Sequence, residues 1–299
     1  MDASIPYLGE GFSLFTAVVW ALAVILFRKS GQTVHPLALN TFKNLLAFVL
    51  FIPTIWFFGE TLLRPVPAHI YILLLLSGVI GIGIGDSLFF KSLNLLGAGL
   101  TAIVDCLYSP FIIGLSIIWL RESLTFVQII GALLIVSAIL IGTGITKSEG
   151  ISRKNLVLGI FYGVLALASM AVGIVMIKPL LAQSPLLWVI EIRLFGGLIA
   201  LGIILLFHPK RRKIISSLFA THSWSCTISG SFLGAYVAMF VWLAGMKYTQ
   251  ASIASALNQT STIFIFIFAA IFLKEPINLK RTIGIILAFI GSFLVLFGR

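Results

Sequence analysis

The stretch GIGIGDSLFFKSLNLLGAGLTAIVDCLYSP, residues 81–110, decides the fold. It joins the end of one long apolar segment to the start of the next through a short turn, NLLGAG. Both segments are rich in glycine and aliphatic residues, yet they carry Asp86, Lys91 and Asp105. An ionisable side chain at the centre of a membrane helix costs about 2.5–3.5 kcal/mol and usually faces a cavity or a partner. The stretch therefore predicts a helical hairpin that borders a polar interior.

The composition of the whole chain agrees with this interpretation. Of its 299 residues, 60% are hydrophobic and 10% are charged, whereas soluble domains average about 45–50% and about 25%. A polytopic helical membrane protein is the class that fits. The formal net charge of +11 comes from Lys and Arg in short breaks between apolar runs, so we expect a lipid bilayer and no nucleic acid as partner. We predict a multi-pass protein of the cytoplasmic (inner) membrane of a prokaryote.

The residues that hold metals and cofactors are scattered. Cys106 and Cys226 lie far apart without CxxC or CxxH spacing, and the histidines show no HxxxH or HExxH pattern. The chain also lacks a Walker-type glycine-lysine loop. These absences predict no disulfide framework, no metal and no cofactor, and they exclude ATP-driven transport by this chain alone.

Ten apolar segments are each close to the roughly 20 residues that a helix needs to cross the bilayer core. They cover residues 11–28, 36–58, 69–93, 97–120, 124–144, 155–178, 185–207, 225–247, 251–273 and 279–298. We therefore expect an all-α integral membrane protein with ten transmembrane helices. Two five-helix repeats are predicted, at residues 1–148 and 149–299.

A shift of 153 residues superposes the second half on the first. WLRESL (119–124) falls on FLKEPI (272–277), and Asp105 falls on Asn258. The small residues Ser77, Gly81 and Gly85, spaced by four, meet an equivalent series in the eighth segment, and such series let membrane helices approach closely. Because each half has five spans, the second enters the membrane from the opposite side. Inverted repeats are typical of secondary transporters with a site near the midplane.

The quoted stretch continues as FIIGLSIIWLRESLTFVQIIGALLI, and together they resemble the EamA-type domain of the drug/metabolite transporter superfamily. The likeness rests on the turn, on GAGLTA, on Pro110 and on the glutamate before the fifth helix. In the second half, YTQASIASALNQTSTIFIFIFAAIFLKEPI resembles the same element, with Ile263 in the place of Pro110. The resemblance implies ten helices in two repeats, a central cavity and transport of small metabolites by alternating access.

The orientation follows from the basic residues. Lys and Arg are more numerous in the loops that join segments 1–2, 3–4, 5–6, 7–8 and 9–10 than in the alternate set. By the positive-inside rule this richer side is cytoplasmic, which places both termini outside. The resembled family often has both termini inside, so the two indications conflict.

Polar residues in segments two and three form the first group of candidate site residues. Asn40, Lys43 and Asn44 share one helix face. Lys43 either extends to the interface or lines a cavity, where it pairs with an anionic substrate group or an internal carboxylate. Asp86 is either a transport residue or the structural partner of a neighbouring helix, and Lys91 is expected at the interface.

Segments four and nine carry the second group. Asp105 and Tyr108 lie on one stripe of segment four, and Asn258, followed by Gln259, stands at the position that aligns with Asp105. Matched polar residues in symmetry-related helices are expected at a midplane site. Pro110 removes a backbone hydrogen bond and is expected to kink the helix beside Asp105.

Segment seven and four aromatic residues complete the candidates. Glu191 and Arg193 lie two residues apart, on different faces, and the 153-residue shift aligns Arg193 with Asn40. Arg193 either faces the cavity or packs structurally, and Glu191 either lines the site or lies near the membrane boundary. Four aromatic residues are either packing groups or part of an aromatic lining: Trp20, Tyr162, Tyr236 and Trp242.

Two glutamates at matched helix ends are interpreted as structural. Glu122 and Glu275 each follow a basic residue. At the start of the next helix, a carboxylate complements the helix dipole.

These observations favour a secondary active transporter that carries a small metabolite or drug-like molecule between the two repeats. Protonation of Asp86, Asp105 or Glu191 is the candidate coupling step. Charges of both signs fit a zwitterion and also fit a self-neutralised network. The alternatives are a non-transporting membrane scaffold and a membrane-embedded enzyme without a recognisable catalytic motif, and we predict no enzymatic activity. The oligomeric state is expected to be a monomer or a homodimer.

Overall fold

The computed structural model describes residues 7–120, 125–143, 151–275, 277 and 279–297. Within these ranges the chain is built from α-helices and two π-helical segments, without strands. The α-helices are α1 (Leu8–Ser30), α2 (Pro36–Phe57), α3 (Ala68–Gly78), α4 (Asp86–Leu96), α5 (Ala98–Asp105), α6 (Tyr108–Leu120), α7 (Phe126–Thr143), α8 (Arg153–Val175), α9 (Lys178–Gln183), α10 (Leu186–Phe207), α11 (Arg211–Phe219), α12 (Trp224–Ser231), α13 (Ala238–Tyr248), α14 (Ala251–Asn258), α15 (Ser261–Leu273) and α16 (Leu279–Phe297). The π-helical segments are π1 (Val79–Gly85), between α3 and α4, and π2 (Phe232–Val237), between α12 and α13.

Among the described residues, seven helical stretches are long and apolar enough to cross a membrane. They are Leu8–Ser30, Pro36–Phe57, Ala68–Leu96, Ala98–Trp119, Arg153–Val175, Leu186–Phe207 and Trp224–Tyr248. Ser261–Leu273 and Thr282–Gly291 are apolar but shorter. The prediction of an all-helical, multi-pass membrane protein is therefore confirmed, and the number of ten spans stays a prediction.

The two π-helical segments lie at corresponding places. π1 begins at Val79 and π2 begins at Phe232, 153 residues later. Each interrupts a long span and contains glycines that another helix contacts. A methyl group added to Gly81 would lie 3.5 Å from Nη2 of Arg193, and one added to Gly234 would lie 2.7 Å from the Phe27 ring. The local change in helical winding therefore sits at two tight helix crossings.

Two further spans are broken at matched positions. α5 ends at Asp105 and α6 resumes at Tyr108, while α14 ends at Asn258 and α15 resumes at Ser261. The predicted distortion beside Asp105 is present. Pro110 is not required for it, because the second break forms with Ile263 at the aligned position.

The first helix of each half packs against the other half. α1 lies along α12, π2, α13 and α15, and α8 lies along α4, π1 and α6. The same kind of contact occurs twice with exchanged residues. A Cβ on Gly245 would lie 2.6 Å from Oγ of Ser13, and a Cβ on Gly163 would lie 3.0 Å from Oγ of Ser92. α7 and α16 pack along each other.

The break predicted at residues 208–224 contains the short helix α11. Its Ile214 is buried, whereas Phe219 is 72% exposed. The sequence patterns did not predict this helix, because four consecutive basic residues, Lys210 to Lys213, cover its start and mask the apolar residues that follow.

Glu275 caps a different helix from the one predicted. Its Oε1 accepts a hydrogen bond from the backbone N–H of Ala98 and its Oε2 accepts one from Gly99, both at 2.9 Å. The expectation that Glu275 caps the helix that follows it, α16, is therefore wrong, because the carboxylate binds the start of α5 in the other half. Its matched residue, Glu122, lies outside the described residues.

Candidate functional site

A cavity of about 110 Å³ lies between the two halves. It is bordered by α1, α2, π1, α4, α5 and α6 from the first half, and by α8, α10, π2, α13 and α14 from the second. Among the nine candidate site residues, the following seven line it: Lys43, Asp86, Asp105, Tyr108, Arg193, Asn258 and Gln259. Asn40 and Glu191 are outside the lining.

Lys43 and Asp86 form an ion pair at one side of the cavity. Nζ of Lys43 lies 2.5 Å from Oδ2 of Asp86, and the lysine side chain is 2% exposed. Nζ also lies 5.5 Å from the centroid of the Phe90 ring. The alternative in which Lys43 extends to the interface is therefore wrong. Because each charge neutralises the other, the pair adds no net charge to the cavity.

Asn40 supports this pair from behind the cavity wall. Its Nδ2 donates to the carbonyl oxygen of Ile82, at 3.0 Å, and to Oγ of Ser87, at 2.9 Å. Its Oδ1 accepts a hydrogen bond from Asn44 at 2.7 Å. Asn40 thus connects α2 to π1 and to α4, before and after Asp86 in the chain. Asn40 therefore helps to position Asp86 and does not itself line the cavity.

Arg193 enters the cavity from α10. Its Nε donates to Oγ of Ser77 at 2.9 Å, and that hydroxyl donates to the carbonyl oxygen of Gly173. The guanidinium carbon lies 5.7 Å from the centroid of the Trp242 ring, a distance at which cation–π attraction operates. Its buried Nη1 has no hydrogen-bond partner among the described residues.

Lys43 and Arg193 occupy similar places along their helices. Each follows the first residue of its helix, Pro36 or Leu186, by seven residues. The match of Arg193 with Asn40 that the 153-residue shift gives stays a prediction.

Asp105 and Asn258 occupy the broken ends of α5 and α14. Nε2 of Gln259 donates to the backbone carbonyl oxygen of Asp105 at 3.1 Å, so the two breaks touch each other across the halves. In the described part of the chain, the carboxylate of Asp105 makes neither an ion pair nor a hydrogen bond. It is therefore the carboxylate in the lining that stays available.

Several other polar atoms of the lining are buried without a partner among the described residues. They are the Tyr108 hydroxyl, Nη1 of Arg193, Oδ1 of Asn258 and Oε1 of Gln259. Leaving a buried polar group unpaired costs about 1–3 kcal/mol, so the cavity is suited to water or to a polar ligand that satisfies these atoms. Arg193 offers a donor, the two amide oxygens accept, and the hydroxyl of Tyr108 does either. No cluster of His, Cys, Asp or Glu that fits a metal occurs in the described ranges.

The sequence patterns predicted part of the apolar lining and missed the rest. Trp20 and Trp242 line the cavity, and Tyr162 and Tyr236 do not. Met170 and Met239 were missed because an unbranched apolar side chain in an apolar helix carries no signal. Met239 stands at the position that the 153-residue shift aligns with Asp86, so the ion pair has no counterpart there.

Glu191 is an isolated buried carboxylate in α10. It is 2% exposed, and neither carboxylate oxygen has a hydrogen-bond partner among the described residues. It does not belong to the cavity lining, and its predicted place in the substrate site is untested.

The sequence of this chain is similar to sequences of transporters, and its fold is similar to that of a solved structure. The sequence model of the EamA-like transporter family matches residues 7–143 and again residues 157–297. An uncharacterized transporter of Archaeoglobus fulgidus is 27% identical over 289 residues, covering 95% of this chain and 96% of that protein. One crystal structure superposes with a TM-score of 0.72 at 17% identity, covering 95% of each chain, which shows a shared fold.

Proposed function

The chain belongs to the EamA-like transporter family, and we propose that it is a secondary transporter that moves a small metabolite or drug-like molecule by alternating access. The observation that carries this proposal is the cavity itself. Both halves line it, and it holds unpaired buried donors and acceptors together with the unpartnered Asp105. A membrane scaffold has no use for such atoms, which cost stability unless a ligand or water binds them.

We also propose the complete architecture of ten spans in two inverted repeats, residues 1–148 and 149–299. Support comes from π1 and π2 and from the breaks after Asp105 and Asn258, which recur at the same 153-residue shift. An odd number of spans in each repeat inverts the second one. The richer set of Lys and Arg marks the cytoplasmic side of a prokaryotic inner membrane and favours external termini.

The broken spans suggest how access alternates. Helix breaks leave backbone carbonyl and N–H groups without intrahelical partners, which a ligand or water satisfies. The crossings of α1 and α8 with the opposite halves include glycines on at least one of the two helices, such as Gly234, Gly245, Gly159 and Gly163, and we propose that one half rocks against the other there. The substrate site then opens to each side in turn.

The lining favours a small polar substrate that carries charge. Arg193 offers an unpaired donor to an anionic group, and Asp105 offers an acceptor to a cationic group. Trp20, Met170 and Trp242 supply apolar surface beside them. A zwitterion satisfies all of these groups at once.

Asp105 is the residue that we propose to bind a coupling proton. Lys43 holds Asp86 in an ion pair, and Glu191 lies outside the lining. Asp105 is free of such a partner in the described part of the chain and borders the cavity, so proton binding there changes the charge that a substrate meets.

Flux into proteoliposomes tests the proposal. Amino acids, nucleosides, sugars and amphipathic cations are screened by counterflow, and the compound that exchanges is then driven with an imposed pH gradient. We expect Asp105→Asn to abolish accumulation driven by the gradient while counterflow continues, and Lys91→Gln, a charge change outside the lining, to preserve both. Accumulation that ignores the gradient in the unaltered protein refutes proton coupling, and normal accumulation by Asp105→Asn removes that residue. Failure of every class of compound to exchange contradicts the transporter proposal.

A further inference from the structure

A second pocket, separate from the central cavity, lies at one end of the helices. Its volume is about 450 Å³, and it is bordered by the end of α1, the start of α2, the end of α4 and the segment 208–217 that includes most of α11. Four of its residues carry the argument: His35, His208, Lys210 and Lys213.

The charge in this pocket is of one sign. Lys210 and Lys213 line it, and none of the described residues of the lining is an aspartate or a glutamate. Neither lysine forms a salt bridge within the described ranges. Burial lowers the pKa of His35, and the neighbouring His208 and Lys91 side chains lower it further. The pocket therefore concentrates positive potential that no described side chain neutralises.

The two imidazoles are held as hydrogen-bond donors. Nδ1 of His35 accepts from the backbone N–H of Leu37 at 3.2 Å, and Nδ1 of His208 accepts from that of Lys210 at 3.1 Å. A neutral imidazole whose Nδ1 accepts carries its proton on Nε2. Both rings thus keep an N–H donor, so two imidazole donors and two ammonium groups border one space. This set of donors suits the oxygens of a phosphate group.

The position of the pocket identifies the source of the phosphate. Each bordering element begins or ends at this pocket. The ends of membrane-spanning helices lie at the level of the lipid headgroups, so the pocket lies at that level. α11 buries Ile214 under this pocket and exposes Ile215 (45%) and Phe219 (72%), as a helix lying in the interface does. Basic pockets between membrane helices are suited to anionic headgroups.

We propose that this pocket binds the headgroup phosphate of an anionic phospholipid, with Lys210 and Lys213 as its charged contacts. This site goes beyond the proposed transport function and does not depend on it. A lipid bound there ties α11 to the starts and ends of α1, α2 and α4, so it stabilises the folded chain.

The test measures lipid binding to the full chain, delipidated in a neutral detergent, by thermal stabilisation and native mass spectrometry. The probes are dioleoylphosphatidylglycerol, dioleoylphosphatidylcholine and inorganic phosphate. Each surface lysine contributes about fivefold to the affinity for anionic lipid. Lys213→Gln is therefore expected to weaken phosphatidylglycerol binding about fivefold, and Lys210→Gln with Lys213→Gln about 30-fold.

Arg212→Gln is the matched control, because Arg212 neighbours Lys213 on α11 and does not line the pocket. We expect it to change the affinity less than twofold, and we expect all variants to keep the same melting temperature in phosphatidylcholine. Equal losses for Arg212→Gln and Lys213→Gln, or equal binding of the two lipids, overturn the proposal. Displacement of phosphatidylglycerol by millimolar inorganic phosphate also overturns it, since the ligand is then a soluble anion.

Discussion

The ion pair between Lys43 and Asp86 should dominate the stability of the cavity wall. The perturbation is Asp86→Asn, which keeps the size of the side chain and removes its charge. Nζ and Oδ2 are 2.5 Å apart, and at an effective dielectric constant of about 20 their attraction is about 6–7 kcal/mol. Desolvation of both groups offsets much of this attraction, and breaking such a buried pair costs about 3–5 kcal/mol. Because the Asp86 side chain is 14% exposed, we expect a loss at the lower end, about 3 kcal/mol.

The assay is reversible unfolding in mixed detergent and dodecyl sulfate micelles, read as a double-mutant cycle. Lys43→Met and Asp86→Asn are each expected to lower the free energy of unfolding by about 3 kcal/mol, because each strands one buried charge. Lys43→Met combined with Asp86→Asn strands no charge, so its loss should be no larger than that of either single variant. Single losses below 1 kcal/mol that simply add in the double variant would refute the reasoning, since the two charges would then not depend on each other.

Three further predictions concern packing, pH and capping. Gly78→Ala places a Cβ against the backbone oxygen of Arg193 and should cost about 1–3 kcal/mol of unfolding free energy. Gly202→Ala, with nothing within 4 Å, should cost nothing, and equal effects of the two variants in the same unfolding assay contradict the tight crossing at Gly78. The pKa of His35 is lowered in the folded chain, so the imidazole of the unfolded chain binds a proton first as the pH falls. The contribution of His35 to the free energy of unfolding should be complete above about pH 6.5 and should fall as the pH drops below it. A His35→Gln variant whose stability depends on pH with the same slope would show that another group titrates. Glu275→Gln weakens two charge-assisted hydrogen bonds and should lower the free energy of unfolding by about 1–3 kcal/mol. Hydrogen exchange should show that the backbone amides at the start of α5 lose protection, and unchanged protection there would refute the cap.

The helical class of the protein and its internal repeat could be predicted from the sequence because both depend on local patterns. Apolar runs of about 20 residues indicate spans in any context. The shift of 153 residues aligns Asp105 with Asn258, and the structure places both at helix breaks. The repeat therefore predicted the place of two polar residues without any information on contacts.

The partners of the charged residues could not be predicted in the same way. Lys43 of α2 pairs with Asp86 of α4. Whether the lysine side chain points to the membrane interface or into the cavity depends on the rotation of α2 about its axis, which sequence spacing does not determine. Glu275 reaches the start of α5 in the opposite half, a contact that no local pattern encodes.

The crossed packing of α1 has a consequence for how the chain is made. α1 is synthesised well before the residues that cover its small-residue face, because Gly234 and Gly245 follow more than 200 positions later. At a synthesis rate of about 5–20 residues per second, α1 waits roughly 10–45 seconds in the bilayer before its neighbours emerge. During that interval its Ser13 and Thr16 hydroxyls have their own helix to bond, through the carbonyl oxygens of Gly9 and Phe12. These two hydroxyls therefore stay bonded while α1 lies in lipid before the helices of the second half are inserted and pack against it.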